Sequence, residues 1–332
     1  MLKAKGPMAV MLVMGGLGLA RGETSAPLYI GNQNPFVLIY GVPKPESGAL
    51  TPKNKLNAAF IYNVSNNALY QDAENGESII WDGETATYTM KLRYGVSDWL
   101  EVGLDLPYVQ HGGGYLDSTI RKFHSTLGYS NGRQKEFEKN QIHFLVADQG
   151  DVLYETLESS QGLGDIRLTA GVPLLASGLS DGRHLAARSV LKLPTGESED
   201  LLGSGGTDVS LGLAYSDTRL LASMNIALGA NVGAVYLGNS DVLAGKQNHL
   251  VGYGGASMNW RARNWLALNL QLDLQSAAYD SELIQLGSSL QLLAGAALRL
   301  PGDVMLDVGI SEQLTTDATP DVGFYLMLGH LF

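Results

Sequence analysis

Ten-residue runs that alternate with period two, connections that alternate between short and long, and a last strand that reaches an aromatic terminus point to one fold class. The sequence predicts an all-β chain, a closed antiparallel transmembrane β-barrel of about twelve strands, of the outer-membrane type. Three runs carry the prediction. Residues 266–275 put Leu266, Leu268, Leu270, Leu272 and Leu274 on one face and Ala267, Asn269, Gln271, Asp273 and Gln275 on the other. Residues 85–94 set Ala86, Tyr88, Met90, Leu92 and Tyr94 against Thr85, Thr87, Thr89, Lys91 and Arg93. Residues 100–109 set Leu100, Val102, Leu104, Leu106 and Tyr108 against Glu101, Gly103, Asp105, Pro107 and Val109. Each has the length of a tilted strand that crosses a bilayer, roughly 9–11 residues. A soluble β-sandwich shares the alternation but not these lengths.

From the N-terminus, Lys3 and Lys5 precede an apolar, uncharged run from Met8 to Ala20. The run is shorter than the ~20 residues of a bilayer-spanning helix. With the small residues Ala20 and Gly22 around Arg21, it reads as a signal peptide over residues 1–22. Its removal takes away three cations and no acid, so an already acidic chain of net charge −11 becomes more acidic. Residues 23–54 carry Pro27, Pro35, Pro43, Pro45 and Pro52, which exclude a central strand. They are expected to form a periplasmic tail or a segment tucked into the barrel over residues 55–332. Asn32, Asn34, Pro35 and Phe36 are the candidate plug.

Beyond the three clear runs, weaker alternation starts near Lys55, Gly164, His184, Thr207, Leu220, His249, Gln285, Val304 and Asp321. Short links are expected at 95–98, 216–219, 261–264 and 301–303, with a longer turn at 178–183. Long ones are expected at 71–78, 111–161, 194–206, 237–247, 276–284 and 311–320. Short periplasmic turns and long external loops are the barrel pattern. In the longest loop, Asp117 is positioned to cap a helix carrying Ile120, Phe123 and Leu127, with Gly128 as its stop. Tyr94, Trp99, Tyr108, Tyr215, Trp260, Trp265 and Phe324 fall where interfacial girdles belong. The outward residues of the last strand, Phe324, Leu326 and Leu328, with Phe332, form a candidate membrane-insertion signal addressed to the barrel-assembly machinery.

Four segments carry a family resemblance: GNQNPF at 31–36, WLEVGLDLPY at 99–108, GLGDIRL at 162–168 and LKLPTG at 191–196. Together they resemble an uncharacterised bacterial outer-membrane β-barrel family, domain of unknown function 3187. The resemblance spans nearly all of the mature chain and implies the barrel fold. It brings no substrate, cofactor or catalytic residue. The Asn-Pro-Phe element also resembles the tucked N-terminal segments of hydrophobic-compound and nucleoside channels.

Function rests on the inward faces. Keeping like faces together at the 95–98 turn pairs Arg93 with Glu101 and Thr89 with Asp105. Parity also turns Lys91, Asp165, Arg167, Arg188, Lys192, Asp208, Asp273, Arg299 and Asp307 inward. Opposed charges across a pore set a transverse field that filters solutes. The same charges, paired, can simply fill a small barrel.

The expectation is a passive channel for an undefined small solute, embedded among outer-membrane lipids and lipopolysaccharide of a Gram-negative cell. The alternatives are a non-conducting adhesin, receptor or scaffold barrel, and an outer-membrane lipid-active enzyme. The enzyme reading lacks a paired nucleophile and base: of the six histidines only His124 adjoins a serine, Ser125, and His111 opens a glycine run that reads as a turn. No cofactor or metal motif is seen, cysteine is absent, and the acidic balance excludes a nucleic-acid footprint.

Overall fold

The computed structural model describes residues 26–114, 141–175, 182–314, 318–320 and 322–332. The signal-peptide residues, the Asp117–Gly128 helix expectation and the His124–Ser125 pair lie outside them. Among the described residues the chain forms β1 (Leu56–Asp72), β2 (Glu77–Ser97), β3 (Leu100–Gly112), β4 (His143–Asp148), β5 (Asp151–Thr156), β6 (Ser160–Leu163), β7 (Arg167–Pro173) and β8 (Arg183–Lys192). It continues through β9 (Asp208–Leu221), β10 (Ile226–Tyr236), β11 (Leu250–Arg263), β12 (Leu266–Gln275), β13 (Ser289–Leu300), β14 (Val304–Gln313) and β15 (Val322–Leu331). One short helix, α1 (Pro35–Leu38), precedes them.

β1–β3 and β7–β15 make a closed 12-stranded antiparallel barrel. Closure is made by β1 against β15, from Asn57 opposite Leu331 to Asn66 opposite Val322. Lipid cannot satisfy a free strand edge, so this last seam is obligatory. The Leu268, Leu270, Leu272 and Leu274 side chains of β12 stand on the outer face while Asn269 and Gln271 are buried inside. Leu326, Leu328 and Phe332 are exposed on the same outer surface, and Phe324 packs against the Val64–Ala86 cluster. Tyr94, Trp99, Trp260 and Trp265 are exposed near the end where the turns are short. Tyr108 joins Phe60, Tyr62 and Tyr88 in an aromatic cluster on the outer wall. Tyr215 instead donates to the Asp217 carboxylate.

Four expectations need correction. The β2–β3 register is two residues from that expected: Arg93 faces Gly103 and Lys91 faces Asp105. A bulge between Gly95 and Ser97 keeps both residues in the ladder and moves the turn to Asp98 and Trp99. β9 does not end at 216–219 but runs to Leu221: residues 218–220 bulge out of its pairing with β10, where the Asp217 carboxylate accepts from the Arg219 and Leu220 N–H groups. β2 begins at Glu77, well before residue 85. The loop 111–161 contains β4–β6: β4 adds to β2, β5 to β4, and β6 to β3. Short strands on a protruding hairpin leave too little alternation to be read.

The upper parts of β1 and β2, with β4, rise beyond the β15 seam. Their inward Ile79, Trp81, Phe144 and Val146 meet Leu237, Val242, Tyr279 and Leu283 from other long loops in the largest apolar core among the described residues. Phe36 of α1 is fully buried in it, edge-on to Tyr154 at 5.6 Å. The long-loop end of the barrel is therefore covered by an apolar cap.

Residues 26–55 run inside the wall. Leu28 donates its N–H to Gln271 midway along β12 (2.8 Å). The chain rises to the cap, where the Asn34 side chain accepts the Phe36 N–H (3.0 Å) and donates to the Gln285 carbonyl (2.7 Å). It then descends: the Gly41 N–H meets Asp208 (2.7 Å), the Gly48 N–H meets Ser216 (3.0 Å), and the Thr51 N–H meets Glu101 (2.6 Å). A Cβ at Gly48 would lie 2.5 Å from the His184 carbonyl oxygen, so only glycine lets the limb lie this close to the wall.

Candidate functional site in the barrel lumen

The inward charges meet partners on the descending limb rather than facing one another across open space. Arg93 is 2.7 Å from Asp105 and 2.9 Å from Glu46. Lys91 is 3.1 Å from Glu46. Arg188 is 2.8 Å from Glu101 and donates to the Ser47 carbonyl at 2.8 Å. Tyr29 lies in the same cluster: its hydroxyl donates to Asp105 (2.5 Å) and accepts from Arg93 (3.0 Å), and the Lys91 ammonium sits 4.0 Å from its ring centre. Burial would raise the Glu46 carboxyl, but Arg93, Lys91 and Arg188 outweigh it and hold the group well below the ordinary carboxylate range. Glu46 is thus the anionic centre of a clamp on β2, β3 and β8.

A second cluster lies nearer the cap. Lys192, fully buried, is 2.5 Å from Asp165 and 3.3 Å from Asp208, and donates to the Ile39 carbonyl at 3.1 Å. Asp165 also accepts the N–H groups of Thr195, Gly196 and Ser204. Arg167 donates to the Tyr40 carbonyl at 3.2 Å. These cations hold the turn at the top of the segment by its backbone oxygens, the groups a helix end leaves unpaired.

The remaining inward charges stand apart. Asp273 accepts from Gln271 (2.7 Å), which in turn donates to the Leu28 carbonyl. Asp307 is buried on β14 and Arg299 is partly buried near the short-turn end of β13. Asn32 bonds the Ala318 carbonyl (3.1 Å), and Pro35 opens α1. Tyr29, Lys44 and Glu46 escaped the sequence reading. They sit in a proline-rich stretch without period, where parity says nothing about direction.

The opposite wall carries mostly small inward residues, Gly212 and Ala214 on β9, Gly229, Asn231 and Gly233 on β10, Gly255 and Ser257 on β11, with the buried Tyr253 side chain of β11 lying over Gly212 and Gly233. Space survives along it. A cavity of about 50 Å³ lies between the segment and Asn231, Tyr253, Asp273 and Gln291. One of about 30 Å³ lies between Lys44, Arg188, Gly212 and Asn231. Two smaller ones, about 20 and 10 Å³, lie near Thr87 and Asp165 and near Pro45 and Gly255. A water needs about 10–15 Å³ on this measure, so the cavities are water-sized rather than a pore.

Among solved structures, the COG4313 outer membrane channel from Pseudomonas putida F1 superposes with a TM-score of 0.55 at 14% identity, over 86% of this chain and 97% of that one. At that identity the likeness speaks for the barrel fold. The KdgM porin in complex with disordered oligogalacturonate gives a TM-score of 0.42 at 5% identity, over 82% and 99% of the two chains. The CymD monoaromatic hydrocarbon channel gives 0.38 at 12%, over 92% and 94%. No curated protein matches by sequence. A family profile described as protein of unknown function (DUF3187) matches residues 16–332. That match runs from before the lumenal segment through the closing strand, and the chain belongs to the DUF3187 family.

Proposed function

We propose that this barrel is a passive channel of the Gram-negative outer membrane for small polar solutes, with residues 26–55 as its constriction. The observation that carries the reading is the asymmetry of the lumen. Ion pairs from Glu46 hold the segment to β2 and β8, while three of the four cavities border β9–β11 and the fourth lies against β2, β3 and β7. Passage then requires the descending limb to shift toward the clamp or leave it. The inward charges act first on the segment and through it on the solute.

The apolar cap favours a second reading, a non-conducting scaffold that presents its loops. Lys246 reinforces the cap, 2.6 Å from Glu77 and 2.7 Å from Asp148. Planar-bilayer recording of the mature protein, with and without residues 26–50, separates the two. The channel reading predicts larger or more frequent conductance steps after truncation. Silence from both folded forms would replace it with the scaffold.

A further inference from the structure

Two lumenal cations lack a counter-charge. Among the described residues no ion pair reaches Lys44 or Arg167. Arg167 spends its hydrogen bonds on the Leu38 and Tyr40 carbonyls, and its Nε is buried without a partner. Lys44 stands 5.4 Å from the Tyr29 ring centre, outside the ion pairs of its neighbours. Both border the cavity of about 50 Å³ and the one of about 20 Å³. Three nearby acids are engaged, Asp105 by Arg93 and Tyr29, Glu46 by Lys91 and Arg93, Asp165 by Lys192, whereas Asp273 on the cavity lining keeps one buried oxygen without a partner.

We infer that the space between Lys44 and Arg167 is an anion subsite that takes a small carboxylate or a similar oxyanion. The 50 Å³ cavity fits a carboxylate-sized group by the same water measure. The Lys44 ammonium and the Arg167 Nε–H supply charged donors, and Asn231 and Gln291 add amides to the lining. Asp273 also borders the cavity, leaving two cations against one acid, so the lining favours an anion. Burial, with the Arg167 charge next, pushes the Lys44 ammonium down to about 7. A bound anion supplies the charge it lacks. The inference deepens the channel reading by naming the class of solute, and rests on it for its physiological meaning.

The test is thermal unfolding of the mature protein folded in detergent, held below the Lys44 pKa. Sodium acetate replaces sodium gluconate, an anion too large for the cavity, at constant ionic strength. A ligand bound only by the folded state raises Tm. Acetate should raise Tm of the wild type. The concentration for half the rise should be at least about tenfold higher in Lys44→Met, the worth of one charge-assisted hydrogen bond. Lys44→Arg should behave as wild type. Heat-modifiable migration verifies folding of each variant. No rise in the wild type, or the same curve in Lys44→Met, overturns the subsite. The readout is binding, so acetate stabilisation of a barrel that never conducts keeps the subsite and removes the passage.

Discussion

Lys44 shows how one residue records the cost of placing a charge in the lumen. Its ordinary value is 10.5 and its folded value about 7, lowered first by burial and then by Arg167; Lys91 and Arg93 add to the repulsion and Asp105 opposes it. Between those values the unfolded chain binds more protons than the folded one, so stability rises with pH across that window. Below about 7 the full cost of the buried charge is present. Lys44→Met should therefore raise Tm most below pH 7, and the gain should shrink as pH climbs toward 10.5. A gain that is constant from pH 6 to 10 would show that Lys44 keeps its ordinary proton affinity. At this scale the sequence was partly legible. Period two turned Arg93, Asp105, Arg167 and Lys192 inward, and the structure buries all four. It could not give their partners, because Glu46 and Tyr29 lie outside any strand.

The lumenal segment is the element that organises the interior, and Glu46 is its anchor. Glu46→Gln leaves the Arg93–Asp105 pair intact but strips Lys91 of its carboxylate and weakens the hold of Arg93 and Arg188. Removing one partner of a buried pair costs ~3–5 kcal/mol. Because Arg93 keeps Asp105, the low end, about 3 kcal/mol, is expected in urea unfolding of the detergent-folded protein. Single-channel recording should show longer or more frequent open steps in the same variant, since the limb is freed. A stable Glu46→Gln protein with wild-type conductance would remove the clamp. Strand legibility followed the physics of the two faces. β12, β3 and the membrane part of β2 were readable because one face meets lipid and the other meets polar groups. β4–β6 were not, since they pair above the seam and meet protein or water instead. The two-residue register difference at β2–β3 came from a bulge together with a turn placed at Asp98 and Trp99, neither of which alternation encodes.

At the scale of the whole molecule, the barrel has two unlike halves. One half carries the cations that pair with Glu46; the other carries mainly glycine, alanine, serine and asparagine, with Tyr253 over two of the glycines and small cavities beside them. The cap closes the long-loop end through Phe36, so the same segment that fills the lumen also seats the loops. Twelve strands and their closure were foreseeable from alternation and the even strand count. The cap was not, because its residues come from the lumenal segment and five separate connections whose apolar side chains show no common period.

The central claim is that residues 26–55 obstruct a path through the barrel and must move to open it. The chain has no cysteine, so one engineered pair is unambiguous. Ser47 and Ser216 hold their hydroxyl oxygens 3.0 Å apart, joining the descending limb to β9. Ser47→Cys with Ser216→Cys should close a disulfide there with little backbone movement. Planar-bilayer conductance of this double variant, before and after reduction, is the decisive measurement. The account predicts silence while the bond is closed and conductance steps once it is reduced. Equal conductance in both states, or silence in both, would contradict it.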